Sequence, residues 1–165
     1  MRPIFVFAFV LALTNTAIAE DGCEKFAWPV AQEREALIAP NQQVITSGAS
    51  IERADQAFKL LLQKSDEARF IMPPERKPRA ETWHGGLVLL PAPQQAGVYQ
   101  ITLSDEAWVD LIQDSHYARS VGSSGRSDCP GLRKSVRFEV TATPITLQIS
   151  GVSGEAISVA VGPAR

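Results

Sequence analysis

The chain is poor in the residues from which metal and thiol chemistry are built, with only two histidines and two cysteines. His84 and His116 stand far apart and belong to no ligand-spaced motif. A transition-metal centre needs several converging His, Cys, Asp or Glu ligands, so no metal and no cofactor is expected. The facial triad of a non-haem iron site would need both histidines to meet beside a carboxylate. No Gly-x-Ser-x-Gly elbow surrounds Ser123 or Ser124, so a pairing with His116 and Asp128 lacks the strained turn that exposes a nucleophile. Serine and glycine at such positions read as a turn. Asp110 and Asp114 lack the dense Asp/Asn/Gly loop of a calcium site. Asp105 and Glu106, adjacent in sequence, would point to opposite faces of a strand, which is wrong for glycoside hydrolysis. The formal charge of −2 offers no basic excess to draw nucleic acid or anionic lipid. Nothing repeats at a solenoid period.

Long apolar runs are also missing, save at the N-terminus. Arg2, the apolar stretch Pro3 to Leu13 and the small-x-small sequence Ala17-Ile18-Ala19 before Glu20-Asp21 have the form of a secretory signal peptide. The stretch is short for a bilayer span and no stop-transfer segment follows. The expected organisation is therefore a signal peptide over 1–19 and one soluble domain over 20–165, periplasmic or secreted, without membrane insertion. In an oxidising compartment Cys23 and Cys129 read as a disulfide. Closing so long a loop is worth roughly 4–5 kcal/mol by chain entropy. The bridge would pin a fraying N-terminus to a late loop and remove the thiols from chemistry. Were Cys129 free, Arg126 and Arg133 would lower its pKa. Acylation of Cys23 is disfavoured by Glu20, Asp21 and Gly22 before it.

One helix is predicted over Val30 to Ala39, rich in strong helix formers, with Pro29 at its first turn and Pro40-Asn41 as its stop. Val44 to Ile51 reads as a strand interrupted at Gly48. From Ala57 the apolar period becomes two, which turns Phe58, Leu60 and Leu62 inward. Met72 to Arg79, with three prolines and four charges, fits neither helix nor central strand and reads as a surface crossover. Leu87 to Leu90 is a short apolar run. Val98 to Leu103 and Trp108 to Ile112 look like a hairpin joined at Ser104-Asp105-Glu106. Residues 113–135 are a long polar connection, held by the bridge. Three alternating strands follow, built on Val136, Phe138 and Val140, on Ile145, Leu147 and Ile149, and on Ile157, Val159 and Val161; their polar alternates are expected to face water.

This pattern predicts a mainly all-β chain folded as an antiparallel β-sandwich, jelly-roll or immunoglobulin-like, with one short N-terminal helix. A small closed barrel of lipocalin type fits the same alternation. Trp28 and Trp108 read as core aromatics. Two surfaces suggest binding. Arg119, Arg126, Arg133 and Lys134 lie among small residues near Cys129, a composition suited to a carboxylate, a phosphate or an acidic partner. Trp83-His84-Gly85-Gly86 would place an aromatic beside flexible backbone, where it can stack on a sugar or a partner side chain.

Gly97-Val-Tyr99-Gln-Ile-Thr-Leu103, Trp108-Val-Asp110-Leu and Val136-Arg-Phe138-Glu-Val140 together resemble bacterial pre-peptidase C-terminal-like β-sandwich domains, over residues 86–162. The chain lacks the acidic turn those domains carry after the aspartate strand. The Asp-Cys-Pro-Gly and Arg-Lys-Ser-Val-Arg-Phe segments are similar to those of small exported periplasmic proteins of Gram-negative bacteria. The resemblance implies a secreted module and no particular activity. The leading expectation is an exported, non-catalytic binding or accessory protein recognising a protein, glycan or small anionic ligand through the loops near Cys129. A periplasmic hydrolase with a site assembled from separated loops is the alternative.

Overall fold

A computed structural model describes residues 22–165; the signal peptide expected over 1–19 lies outside the described residues. After a 3-10 turn at Gly22–Lys25 comes the helix α1 (Ala31–Ile38). Eleven strands follow: β1 (Gln43–Thr46), β2 (Ala57–Leu61), β3 (Gln63–Lys64), β4 (His84–Leu90), β5 (Gly97–Leu103), β6 (Trp108–Gln113), β7 (His116–Tyr117), β8 (Ser120–Gly125), β9 (Lys134–Val140), β10 (Ile145–Val152) and β11 (Ala156–Pro163). They form a six-stranded sheet ordered β1-β2-β11-β5-β9-β8 and a five-stranded sheet ordered β3-β4-β10-β6-β7. Only β1 and β2 pair in parallel; the other strand pairs are antiparallel. The two sheets stay separate, so the molecule is a sandwich and not a closed barrel.

The period-two pattern sets what lies between the sheets. Phe58, Leu60, Val88, Ile101, Leu103, Leu111, Leu147, Ile149, Ile157 and Val159 all join one buried cluster contributed by both layers. Burial of these side chains is the main favourable term for the fold. Phe58, Leu60 and Leu62 point inward as their spacing requires. The expected hairpin of Val98–Leu103 with Trp108–Ile112 does not form. β5 pairs with β9 and β11, whereas β6 pairs with β7 and β10, so Ser104–Ala107 is an arch crossing between sheets. The alternation in both strands is real, but alternation alone does not say which sheet a strand joins. Residues 113–135 are likewise not one open connection, since they contribute β7 and the edge strand β8, which pairs with β9 despite its weak Ser/Gly composition.

The outer faces of the sheets are expected to be wet; Lys59 and Glu139 are, but much of both faces is covered. Residues 22–39 lie over the six-stranded sheet, where Phe26, Val30, Leu37, Cys129, Leu132 and Ala160 make a second apolar cluster. Trp28 belongs to this cover and not to the central core. Its Nε1–H donates to Ser135 Oγ at 3.0 Å, and the Arg137 guanidinium stands 4.3 Å from its ring centroid. Helix α1 has only eight residues, too short for stability on its own. It starts at Ala31, after a buried Val30 whose φ of −133° is not helical, so Pro29 lies outside the first turn. Gln42 Nε2 closes the helix by donating to the carbonyls of Ala36 and Leu37 at 2.8 and 2.9 Å. Arg34 Nε donates to Pro130 O at 2.9 Å, and a Cys23–Cys129 disulfide spans 106 residues of sequence. Helix, arginine and bridge thus tie one cover to one loop.

The Cys23→Ser, Cys129→Ser double variant should unfold at lower denaturant, with a stability loss of up to roughly 4–5 kcal/mol. Thiol labelling of the unreduced wild type should find no free cysteine. An unchanged unfolding midpoint in the variant would show that the bridge does not hold the N-terminal cover.

Candidate functional site

The cover of the five-stranded sheet comes from residues 65–83, the segment between β3 and β4. Its base is closed by Ser65 N–H donating to Trp83 O at 2.9 Å. Three prolines and a run of charges keep it out of regular structure, as the sequence implies. It is nevertheless not a loose surface crossover. It runs as a strap over the outward side chains of β6 and β10. Gln148, only 1% exposed, accepts at Oε1 from the amides of Ile71 at 2.6 Å and Met72 at 3.2 Å. Its Nε2 donates back to Met72 O at 3.0 Å. The Tyr117 hydroxyl donates to Pro73 O. Asp110, 2% exposed, accepts from Trp108 Nε1–H at 2.6 Å and from Glu75 N–H at 3.4 Å. Loops longer than about 12–15 residues inside a compact domain are uncommon and are often functional.

Past Asp110 the strap carries Arg76, Lys77, Pro78 and Arg79 over the Trp108 end of the sheet. A cleft of about 270 Å³ opens there, lined by these residues and by Glu106, Trp108, Lys134, Ser150 and Gly151. The Arg76 guanidinium lies 5.6 Å and the Lys134 ammonium 5.5 Å from the Trp108 ring centroid, within cation–π range. Lys134 reaches across from the other sheet, donating to Ala107 O at 2.7 Å. The arch places the Glu106 carboxylate 3.1 Å from Arg133 and 3.7 Å from Lys134. Burial holds the Lys134 ammonium below the ordinary lysine pKa, outweighing the upward pull of Glu106. At the back, Ser150 is the cross-strand neighbour of Trp108 and sits where β10 slips its register with β4. Gly151 supplies the positive φ of 78° that this bulge uses.

The candidate residues named from sequence do not form one surface. Arg119 faces Glu139 at 3.5 Å on the β8–β9 edge. Arg126 is a structural tie, donating from Nη2 and Nε to Lys25 O at 2.6 and 3.0 Å. Arg133 and Lys134 converge on Glu106, and only Lys134 lines the cleft. Trp83 is half-buried and stacks on Phe70 with ring centroids 6.1 Å apart. Gly85 is a packing glycine and not a flexible one, because a Cβ there would come within 2.8 Å of both Phe70 and the Ile149 carbonyl. His84 Nδ1 is buried without a hydrogen bond among the described residues. The serine, histidine and aspartate that could be paired on paper are engaged separately: Ser124 Oγ accepts from Ala27 N–H at 3.0 Å, His116 Nδ1 contacts Asp114 O at 2.7 Å, and Asp128 lies 4.0 Å from Lys25. Sequence reasoning missed Arg76, Lys77 and Arg79, whose clustering was visible, and assigned Trp108 to the core. The overlooked signal was a basic triplet inside a loop too long to be a simple connection.

Gln148→Leu keeps the volume but strips the strap of its acceptor, leaving the Ile71 and Met72 amides unpaired. The expected loss is about 1–3 kcal/mol. Trypsin should then cut after Arg76 and Arg79 at least about tenfold faster while far-UV circular dichroism is retained. An unchanged cleavage rate would mean that the strap is held by other contacts. Burial raises the Asp110 carboxyl above its ordinary pKa of 3.8, against the lowering effect of the Trp108 and Glu75 donors. The folded protein therefore holds a proton that the unfolded chain has already lost, and the stability contributed by this group falls as pH rises from 3.8 to the raised value. Asp110→Asn should flatten that fall in pH-dependent denaturation.

No protein-family model, curated protein or solved structure matches this chain. The chemistry of the cleft alone bears on what it binds.

Proposed function

We propose that this chain is an exported, non-catalytic binding or accessory β-sandwich protein whose ligand presents a negatively charged group to the Trp108 cleft. The disulfide supports work in an oxidising compartment, and the pattern of residues 1–19 supports delivery to the periplasm or the exterior. Among the described residues no helix is long and apolar enough to cross a membrane. The observation that carries the binding reading is the pair of cations from different elements, Arg76 and Lys134, set over one tryptophan in a concave site. Arginine forks and ammonium groups partly withdrawn from water are strong partners for an anion. A non-catalytic role is favoured because Ser124, His116 and Asp128, the serine, histidine and aspartate that could form a triad on paper, are engaged in separate contacts.

The reading moves the binding surface away from the polar segment around Cys129 and onto the strap. It keeps Lys134 from that segment and adds Arg76, Lys77 and Arg79. Arg126 drops out, because its guanidinium is used to hold the N-terminal cover.

A thermal-shift series at constant ionic strength should separate these roles. A ligand at about a hundred times its Kd stabilises by about 2.7 kcal/mol, a shift of roughly 5–10 °C for a domain of this size. Small multivalent anions should raise Tm and neutral sugars should not. Arg76→Ala with Lys134→Ala should abolish the shift, whereas Arg126→Ala should lower the starting Tm and leave the shift intact. A response to neutral sugars with none to anions would overturn the reading.

A further inference from the structure

Resting on the anionic reading of the cleft, we infer that its charged occupant is a tetrahedral dianion, inorganic phosphate or sulfate or a phosphate monoester, and not a carboxylate. Three features of the cleft carry this.

The first is the charge balance of the walls. Arg76, Lys77, Arg79 and Lys134 face the single carboxylate of Glu106. A monoanion leaves most of that positive charge unanswered, whereas a dianion answers more of it. Moreover, Glu106 already serves Arg133 and Lys134 as a carboxylate, so the function of a second planar carboxylate at that position is taken. The cations without such a partner lie along the strap.

The second feature is Ser150. The residue is 1% exposed and its hydroxyl makes no hydrogen bond among the described residues, although the residue forms part of the cleft wall. A buried hydroxyl left unpaired is unfavourable, and most are satisfied in folded proteins. The hydroxyl oxygen is itself covered, and an anion whose entry parts this wall would give it an acceptor. A hydroxyl donor in a cleft lined by four cations suits an oxyanion.

The third is the arrangement of donors. They come from three separate elements: the strap, the first residue of β9 and the bulge of β10. A carboxylate is planar and is met well by one guanidinium fork from one side. Donors disposed around a cavity match an anion whose oxygens project in several directions. The cavity of about 270 Å³ holds the volume of roughly nine water molecules, enough for a phosphate and a small attached group.

Isothermal titration of the disulfide-bonded protein with inorganic phosphate, sulfate and acetate at equal ionic strength tests the assignment. Phosphate and sulfate should bind at least about tenfold more tightly than acetate. Ser150→Ala should weaken phosphate by about tenfold. Because the variant removes an unpaired buried hydroxyl, its own Tm should be unchanged or higher, which separates a ligand contact from a folding defect. Glu106→Gln should tighten phosphate by freeing Lys134 of its carboxylate partner. Co-sedimentation with phosphatidic-acid vesicles that is competed by free phosphate would locate the phosphate on a lipid headgroup, and its absence on a soluble ligand. Acetate binding as well as phosphate, or phosphate affinity indifferent to Ser150→Ala, would overturn the tetrahedral assignment while leaving an anion site. No binding by any of the three anions would remove the anion reading itself.

Discussion

The carboxamide of Gln148 is the contact on which the functional half of the molecule depends. It lies on the outward side of a central strand, where an alternating sequence would normally meet water, yet it is sealed beneath residues 65–83. Its oxygen takes two backbone amides and its nitrogen returns one bond to a carbonyl, so one side chain replaces the ladder that a neighbouring strand would have supplied. A segment with three prolines cannot join a sheet. It can be fastened to one, provided that the sheet presents side chains able to satisfy its backbone. Gln148, Asp110 and Tyr117 do so in turn, and the end of the segment beyond them is placed over Trp108.

The two covers of the sandwich use similar means to different ends. Over the six-stranded sheet, the N-terminal segment brings its own apolar cluster and is secured by a disulfide, by Arg34 to Pro130 and by Arg126 to Lys25. Most polar groups beneath it are paired: Ser158 with Gln42, Ser135 with Trp28 and with Thr102. Over the five-stranded sheet, the strap reaches the same state at Gln148 and Asp110 but not at its far end. There four cations, three of the strap and Lys134, line open space with a buried serine. The first cover reads as bracing, and the second as a brace with a site at its end. The bulge at Ser150–Gly151 shifts the end of β10 out of register with β4 while Ser150 stays paired with Trp108.

The central core was legible because burial between two sheets imposes a period of two, and Phe58, Leu60, Tyr99, Ile101, Val136, Phe138, Leu147 and Val159 carry it without interruption. The disulfide and the helix were legible for equally local reasons. What could not be read was which strands share a sheet. Ser104–Ala107 has the composition of a tight turn and serves as an arch between layers, because pairing is decided by long-range register. The covered outer faces were hidden for a related reason: Gln148, Ser158 and Asp110 are polar and look solvated in isolation, while each has a hydrogen-bond partner distant in sequence. The basic residues around Cys129 drew notice by clustering along the chain, but they separate in space. Lys134 alone reaches the cleft, and its companions Arg76, Lys77 and Arg79 come from a segment some sixty residues earlier.

Hydrogen–deuterium exchange with and without saturating phosphate tests the central claim most directly, since it reports which backbone a ligand orders. If the strap builds the site, phosphate should slow exchange across 72–80 and across the arch and bulge at 104–108 and 149–152, and should leave 119–126 unchanged. Protection confined to 119–126, or no protection within 72–80, would contradict the account.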